Sequence, residues 1–158
     1  MNSAKFLKVM DACKAKGLML STAESCTGGM IAAGLTDIAG SSSVFERGFV
    51  TYTNKSKHEM LGVAESLLEK YGAVSPHVAL AMAGGALENS DAHISVAVTG
   101  IAGPGGGSDE KPVGLVHIAC AHEGAKSIHK RFEFSGDRSR VRELSVAAAL
   151  DMILEILD

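Results

Sequence analysis

Tryptophan is absent from this chain of 158 residues, and charged residues make up only 21% against 46% hydrophobic. That balance excludes a disordered segment, which requires low hydrophobicity and high charge. Cysteine occurs only 3 times, as Cys13, Cys26 and Cys120 with no paired spacing. The odd count excludes a disulfide scaffold and fits a reducing compartment. No apolar run approaches the ~20 residues that cross a bilayer, and the N-terminus lacks the apolar core of a secretory signal. No membrane contact is expected, and the expected location is cytoplasmic. A formal net charge of -3 lacks the basic excess that phosphate backbones attract, so nucleic acid is not an expected partner. The histidines show no two-His helical spacing and the cysteines no ligand spacing, so no metal is expected. No Gly-Lys-Ser/Thr closes a Walker A loop, no Gly-x-Ser-x-Gly marks a serine elbow, and no cofactor is expected.

What is present reads as one domain over residues 1–158, long enough to bury a core without staples. Phe6, Leu7, Met10 and Cys13 recur at helical spacing over 4–16, and Gly17 ends the run. A strand over 18–23 leads to a helix from about 27 to 37, and 44–53 reads as a long or bent strand. Asn54 is a good cap for a short helix over 55–61. A second helix over 64–71 follows, then one from Ser75-Pro76 to about 89, with Ser as cap and Pro in the first turn. The run at 93–99 is almost wholly apolar, as in a central strand. Strands at 113–121 and 126–134 form a hairpin. Asp137 opens a long last helix that carries Val141, Leu144, Ala148, Ile153 and Ile156 toward a core. The order α-β-α-β-α-α-α-β-β-β-α predicts a three-layer α/β/α domain, a mixed sheet with helices on both faces. Alanine-rich faces at 79–83 and 147–149 permit close packing within the fold or between subunits. A homo-oligomer is expected from the prevalence of symmetric assemblies.

Chemistry concentrates in four places. Glu24, Ser25, Cys26, Thr27 and Gly28 lie where a strand hands over to a helix start, whose unpaired N–H groups can hold an anion or an oxyanion. A serine there is a candidate nucleophile; an N-cap with a tight glycine turn is the structural alternative. Thr99, Gly100, Gly103 and Gly105 belong to a glycine-rich loop after the central strand, where backbone N–H groups can converge on an anion. Tyr52, Lys55 and Lys57 lie at a strand-to-helix junction, and a desolvated lysine there can act as a general base. Arg138 and Arg142, four apart on one face of the last helix, can grip a phosphate or carboxylate.

Together these segments resemble the CinA C-terminal-domain family, the nicotinamide-nucleotide amidases. The resemblance is carried by Thr22-Ala23-Glu24-Ser25-Cys26-Thr27-Gly28-Gly29, Ile38-Ala39-Gly40-Ser41-Ser42-Ser43, Phe45-Glu46-Arg47-Gly48-Phe49-Val50-Thr51-Tyr52, and Gly72-Ala73-Val74-Ser75. It continues through Gly100-Ile101-Ala102-Gly103-Pro104, Lys111-Pro112-Val113-Gly114 and Phe134-Ser135-Gly136-Asp137-Arg138, in the same order along nearly the whole chain. The resemblance implies hydrolysis of the carboxamide of nicotinamide mononucleotide, with a small nucleotide as substrate. It implies a serine nucleophile at Ser25 and a lysine base at Lys57, with Lys55 the weaker candidate. It also implies the stand-alone form, without the molybdopterin-binding-like domain of longer relatives. On this reading Tyr52 relays protons or positions Lys57. The N–H groups near Cys26 and Thr27 form the oxyanion hole, and the positive ends of nearby helices help lower the pKa of Lys57. The glycine loop, Arg138 and Arg142 anchor the phosphate, and Glu24 is a structural acceptor or an orienter of Lys57. A non-catalytic nucleotide-binding or regulatory module on the same fold is the alternative.

Overall fold

The computed structural model describes residues 2–158. The first helix, α1 (Ser3–Lys16), is capped by the Asn2 side chain and ended by Gly17 in the left-handed region at φ 66°, a conformation glycine adopts without steric cost. The chain then runs through β1 (Leu20–Glu24), α2 (Met30–Thr36), a 3-10 turn at Ser41–Ser43, β2 (Phe45–Val50), α3 (Asn54–Leu61), α4 (Glu65–Tyr71) and α5 (Pro76–Glu88). It closes with β3 (Ile94–Gly100), β4 (Leu115–His122), β5 (Ile128–Glu133) and α6 (Arg138–Leu157).

The strands form one five-stranded sheet in the order β2-β1-β3-β4-β5. β1 runs parallel to both β2 and β3, whereas β3, β4 and β5 are antiparallel. This is the mixed sheet expected from the sequence. The two parallel pairings use helical crossovers, and the antiparallel pair β4–β5 uses a short turn, as strand direction requires.

Alternate residues of the central strands feed two cores. Ile94, Val96 and Val98 of β3 and Val116, Ile118 and Cys120 of β4 meet Phe6 and Met10 of α1, Ile31 and Leu35 of α2, and Leu150 and Ile153 of α6. On the other face Ala23, Ala97, Ala119 and Ala121 meet Ala79, Met82, Ala83 and Ala86 of α5. Small side chains on both partners let α5 lie close to the sheet, so the alanine-rich face at 79–83 is used within the fold. α5 also meets α3 closely: a Cβ on Gly85 would stand 2.0 Å from the Leu61 carbonyl oxygen.

Several local expectations are corrected. The helix expected from about 27 begins at Met30, because residues 26–29 form a turn with Gly28 and Gly29 at positive φ. The strand expected over 44–53 ends at Val50. The cap of α3 is Thr53, not Asn54: the Thr53 hydroxyl accepts from the Ser56 N–H and the Ser56 hydroxyl accepts from the Thr53 N–H. This reciprocal pair satisfies two donors that Asn54 has no partner to match. Of the α6 residues expected to face a core, Val141 and Ile153 are buried in it and Ala148 and Ile156 pack against it half-buried, whereas Leu144 is half-buried outside it and Ser145, Val146, Ala149, Leu150, Met152 and Leu157 complete the buried stripe.

Candidate active site

The parallel strands β1, β2 and β3 all end at one edge of the sheet, and the nucleophile candidate leaves the sheet there. The backbone N–H of Ser25 donates to Val98 O at 3.0 Å, and that of Thr51 donates to Glu24 O at 2.9 Å. The end of β1 is thus tied on both sides, by β3 and by the extension of β2. The chain then turns sharply, with Gly28 at φ 58° and Gly29 at φ 101°, values disfavoured for residues with a Cβ. The Glu24 carboxylate is fully buried and accepts from the N–H groups of Ile31 at 2.9 Å and Ala32 at 3.1 Å. It does for α2 the work of an N-cap, which Gly29 has no side chain to perform. Glu24 therefore acts here as a structural acceptor.

Opposite the turn, α3 delivers Lys57. Its Nζ donates to Ser25 Oγ at 3.0 Å, to Thr51 O at 2.8 Å and to Tyr52 O at 3.3 Å. Lys57 is 1% exposed and Ser25 8% exposed. Burial pushes the Lys57 amine down from 10.5 to about 8, opposed only by the Cys26 thiol. The expected contribution of helix ends does not account for this shift: the start of α2 is occupied by the Glu24 carboxylate, and desolvation is the cause. An amine held by neutral oxygens in a dry setting loses its proton far more readily than one in water. Cys26 is also buried, and burial pushes its thiol up to about 11, so it stays protonated beside the serine.

Ser25, Cys26, Tyr52, Lys57, Thr99, Gly100, Gly103, Gly105 and Arg138 line one cleft of about 260 Å³. Arg138 spans its mouth, donating to Gly103 O at 2.9 Å and to the Tyr52 hydroxyl at 3.0 Å. The Tyr52 phenol therefore meets Arg138, while Lys57 is met by the Tyr52 carbonyl. Thr99 donates its hydroxyl to Ala73 O at 2.9 Å, which ties the glycine loop to the segment before α5.

The remaining candidates lie apart. Lys55 is in solvent, its Nζ 3.7 Å from Glu59. Glu24, Thr27, Gly28 and Arg142 do not line the cleft. Arg142 lies behind the turn, with Nε donating to Cys26 O at 3.0 Å and the guanidinium NH2 to Thr27 O at 3.4 Å. The sequence reading missed two contributors. One is the Thr51 carbonyl, an acceptor for Lys57 that every residue type carries. The other is the pair Ala73 and Val74, which also line the cleft; they lie in the Gly72–Ser75 segment that carries the family resemblance, but their side chains bear no reactive group to mark them as part of a site. Grooves of about 390 Å³ between α1 and α6 and about 370 Å³ between α3 and α4 hold no nucleophile beside a base. Among the described residues no cluster of three or more His, Cys, Asp or Glu side chains could hold a metal ion, and no helix is long and apolar enough to cross a membrane.

The fold has close counterparts. The crystal structure of the competence/damage inducible protein CihA from Agrobacterium tumefaciens superposes with a TM-score of 0.97 at 50% identity, covering 99% of this chain and 95% of that one. A CinA superfamily protein from Escherichia coli gives 0.93 at 38% identity, covering 98% and 89%. In sequence, the nicotinamide-nucleotide amidohydrolase PncC of Enterobacter agglomerans is 53% identical over 143 residues, covering 90% of this chain and 87% of that protein. The PncC of Escherichia coli K12 is 52% identical over 146 residues, covering 92% and 88%. The model of the CinA C-terminal domain matches residues 3–157, all but the ends of the chain. The protein is a member of the CinA C-terminal-domain family.

Proposed function

We propose that this chain hydrolyses the carboxamide of nicotinamide mononucleotide to nicotinate mononucleotide and ammonia. The reading rests on one observation above all: a buried lysine amine with its pKa drawn down to about 8, 3.0 Å from a serine hydroxyl at the end of a cleft. A carboxamide is a weak electrophile with a poor leaving group. Its hydrolysis needs an activated nucleophile, a holder for the oxyanion and a proton for the departing amine. The relatives named nicotinamide-nucleotide amidohydrolase, at 52–53% identity over most of the chain, support the substrate.

In the proposed path neutral Lys57 takes the proton of Ser25 Oγ as that oxygen attacks the amide carbon. The tetrahedral intermediate collapses, the C–N bond breaks, and Lys57 returns the proton to the leaving ammonia. Water then gives a proton to Lys57 and attacks the nicotinoyl ester, releasing the acid and restoring the serine. Of the two N–H groups expected to hold the oxyanion, that of Cys26 belongs to a residue lining the cleft beside Ser25 and is the proposed donor, whereas Thr27 is fully buried. For the 5′-phosphate the proposed anchor is Arg138 with the glycine loop. There the N–H groups of Ala102, Gly103, Gly105 and Gly106 lack acceptors among the described residues, as in a phosphate-holding nest. Binding of that remote group orients the amide over Ser25.

The test is direct. Purified protein is mixed with nicotinamide mononucleotide, and ammonia and the acid product are assayed, with nicotinamide and the dinucleotide as controls. Turnover of the mononucleotide supports the reading; binding without any release of ammonia overturns it.

A further inference from the structure

A pyridine ring alkylated at nitrogen is a cation, and the cleft offers that charge no ion pair. Its basic side chains are Lys57 and Arg138, and among the described residues no Asp or Glu lines it. A carboxylate there would hold the proton on Lys57, so a ring cation has to be met by a neutral group. Tyr52 is the one aromatic side chain of the lining among the described residues. An aromatic face attracts a cation through its quadrupole and leaves a neighbouring base uncharged.

Tyr52 also lies where such a ring has to sit. Its carbonyl accepts from Lys57 Nζ at 3.3 Å, beside Ser25, and its hydroxyl accepts from Arg138 at 3.0 Å. The side chain thus runs from the reacting end of the cleft to the proposed phosphate end. A mononucleotide with its amide on Ser25 and its phosphate at Arg138 lays its pyridinium along this side chain. Tyr52 is 60% exposed. Among the described residues its ring joins no aromatic stack and carries no cation over its face. Arg138 meets it at the hydroxyl, which fixes the direction of the ring without covering a face.

We propose that Tyr52 is a specificity-determining residue: its ring face receives the pyridinium cation, and the cleft thereby selects the oxidised mononucleotide over the reduced one, whose dihydropyridine ring is neutral. The proposal rests on the amidase reading and adds to it the charge state of the ring as a recognised feature.

The test separates binding from chemistry by using Ser25→Ala, which holds the nucleotide without turning it over. Dissociation constants for nicotinamide mononucleotide and for its reduced form are measured by calorimetry at about pH 9, where Lys57 is largely neutral. Ser25→Ala is compared with Ser25→Ala/Tyr52→Phe and Ser25→Ala/Tyr52→Leu, with melting temperature as a check on folding. Ser25→Ala is expected to bind the oxidised form about fivefold to thirtyfold more tightly than the reduced form. Tyr52→Phe keeps the ring and is expected to keep most of that preference, although it loses the bond to Arg138. Tyr52→Leu keeps apolar bulk without a π face and is expected to abolish the preference by weakening the oxidised form alone. If Tyr52→Leu does not fold, Tyr52→Met takes its place under the same criteria. Wild type that releases no ammonia from the mononucleotide overturns the amidase reading together with the proposal. Wild type that does release ammonia, beside equal affinities in Ser25→Ala, a preference that survives Tyr52→Leu, or one lost as fully in Tyr52→Phe, overturns the proposal alone.

Discussion

Lys57 Nζ stands 3.0 Å from Ser25 Oγ, and its other contacts are the neutral carbonyls of Thr51 and Tyr52. No carboxylate holds the proton on this amine, and burial drives its pKa down to about 8. The base is therefore neutral in a useful fraction of molecules near neutral pH, where an exposed lysine at about 10.4 is almost wholly charged.

A pH dependence follows. kcat/KM is expected to rise about tenfold per pH unit below about 8 and to level off above it. The profile is measured with nicotinamide mononucleotide from pH 6 to 10. A limb centred near pH 10, as for a solvated lysine, contradicts the role of burial.

The same shift is a stability statement. Between about 8 and 10.5 the unfolded chain holds a proton on Lys57 that the folded chain has lost. Stability from this group therefore rises with pH across that window. The buried cysteines act in the opposite sense, since burial raises Cys13 and Cys26 to about 11. The informative quantity is thus the difference between wild type and Lys57→Met, read as denaturation midpoints at several pH values. The wild type is expected to gain on the variant as pH rises through this range; parallel curves would show that the amine is solvated.

Ser25→Ala and Lys57→Met are each expected to lower turnover by roughly a thousandfold or more, with the fold kept as judged by circular dichroism. Lys55→Met is expected to change the rate by less than about twofold, since an exposed i,i+4 pair contributes little. The reverse ranking of the two lysines would identify the wrong base.

Arg138→Ala removes the donor to Gly103 O and the Tyr52 hydroxyl at the mouth of the cleft. KM for nicotinamide mononucleotide is expected to rise about tenfold to a hundredfold, the scale of charged hydrogen bonds. The rate with unphosphorylated riboside should change far less. Equal losses on the two substrates would exclude a phosphate contact.

His117 and His129 share a hydrogen bond of 2.8 Å between Nδ1 and Nε2 on adjacent strands. Burial, then the neighbouring His129, brings His117 down from 6.5 to about 4, and burial lowers His129 as well. Below the ordinary histidine range the unfolded chain takes up protons that the folded chain refuses. Stability from this pair is therefore complete above about 6.5 and is lost progressively as pH falls toward 4. His117→Gln is expected to flatten that slope in urea midpoints measured from pH 7 to 4. An unchanged slope would exclude the pair as its source.

Much of the fold was legible in one dimension because its signals are local. Gly17 after an apolar-periodic run, Ser75 before Pro76, and Asp137 before the last helix each mark an end by backbone chemistry that needs no distant partner. The errors came where two local signals competed. Asn54 is a fair cap, but Thr53 has a reciprocating Ser56. Thr27 and Gly28 look like a helix start, but the positive φ of both glycines holds the turn open until Met30.

The order of elements, the mixed character of the sheet and the segments that carry chemistry were written into residue type and spacing, because hydrophobic periodicity and turn chemistry act within a few residues. The pairing of Ser25 with Lys57, the burial that discharges the amine, the use of Glu24 as a cap, and the separation of Arg138 at the cleft mouth from Arg142 behind the turn were not. Each depends on groups 7 to 116 positions apart being brought within hydrogen-bond reach. Desolvation exists only once the packed cores have excluded water.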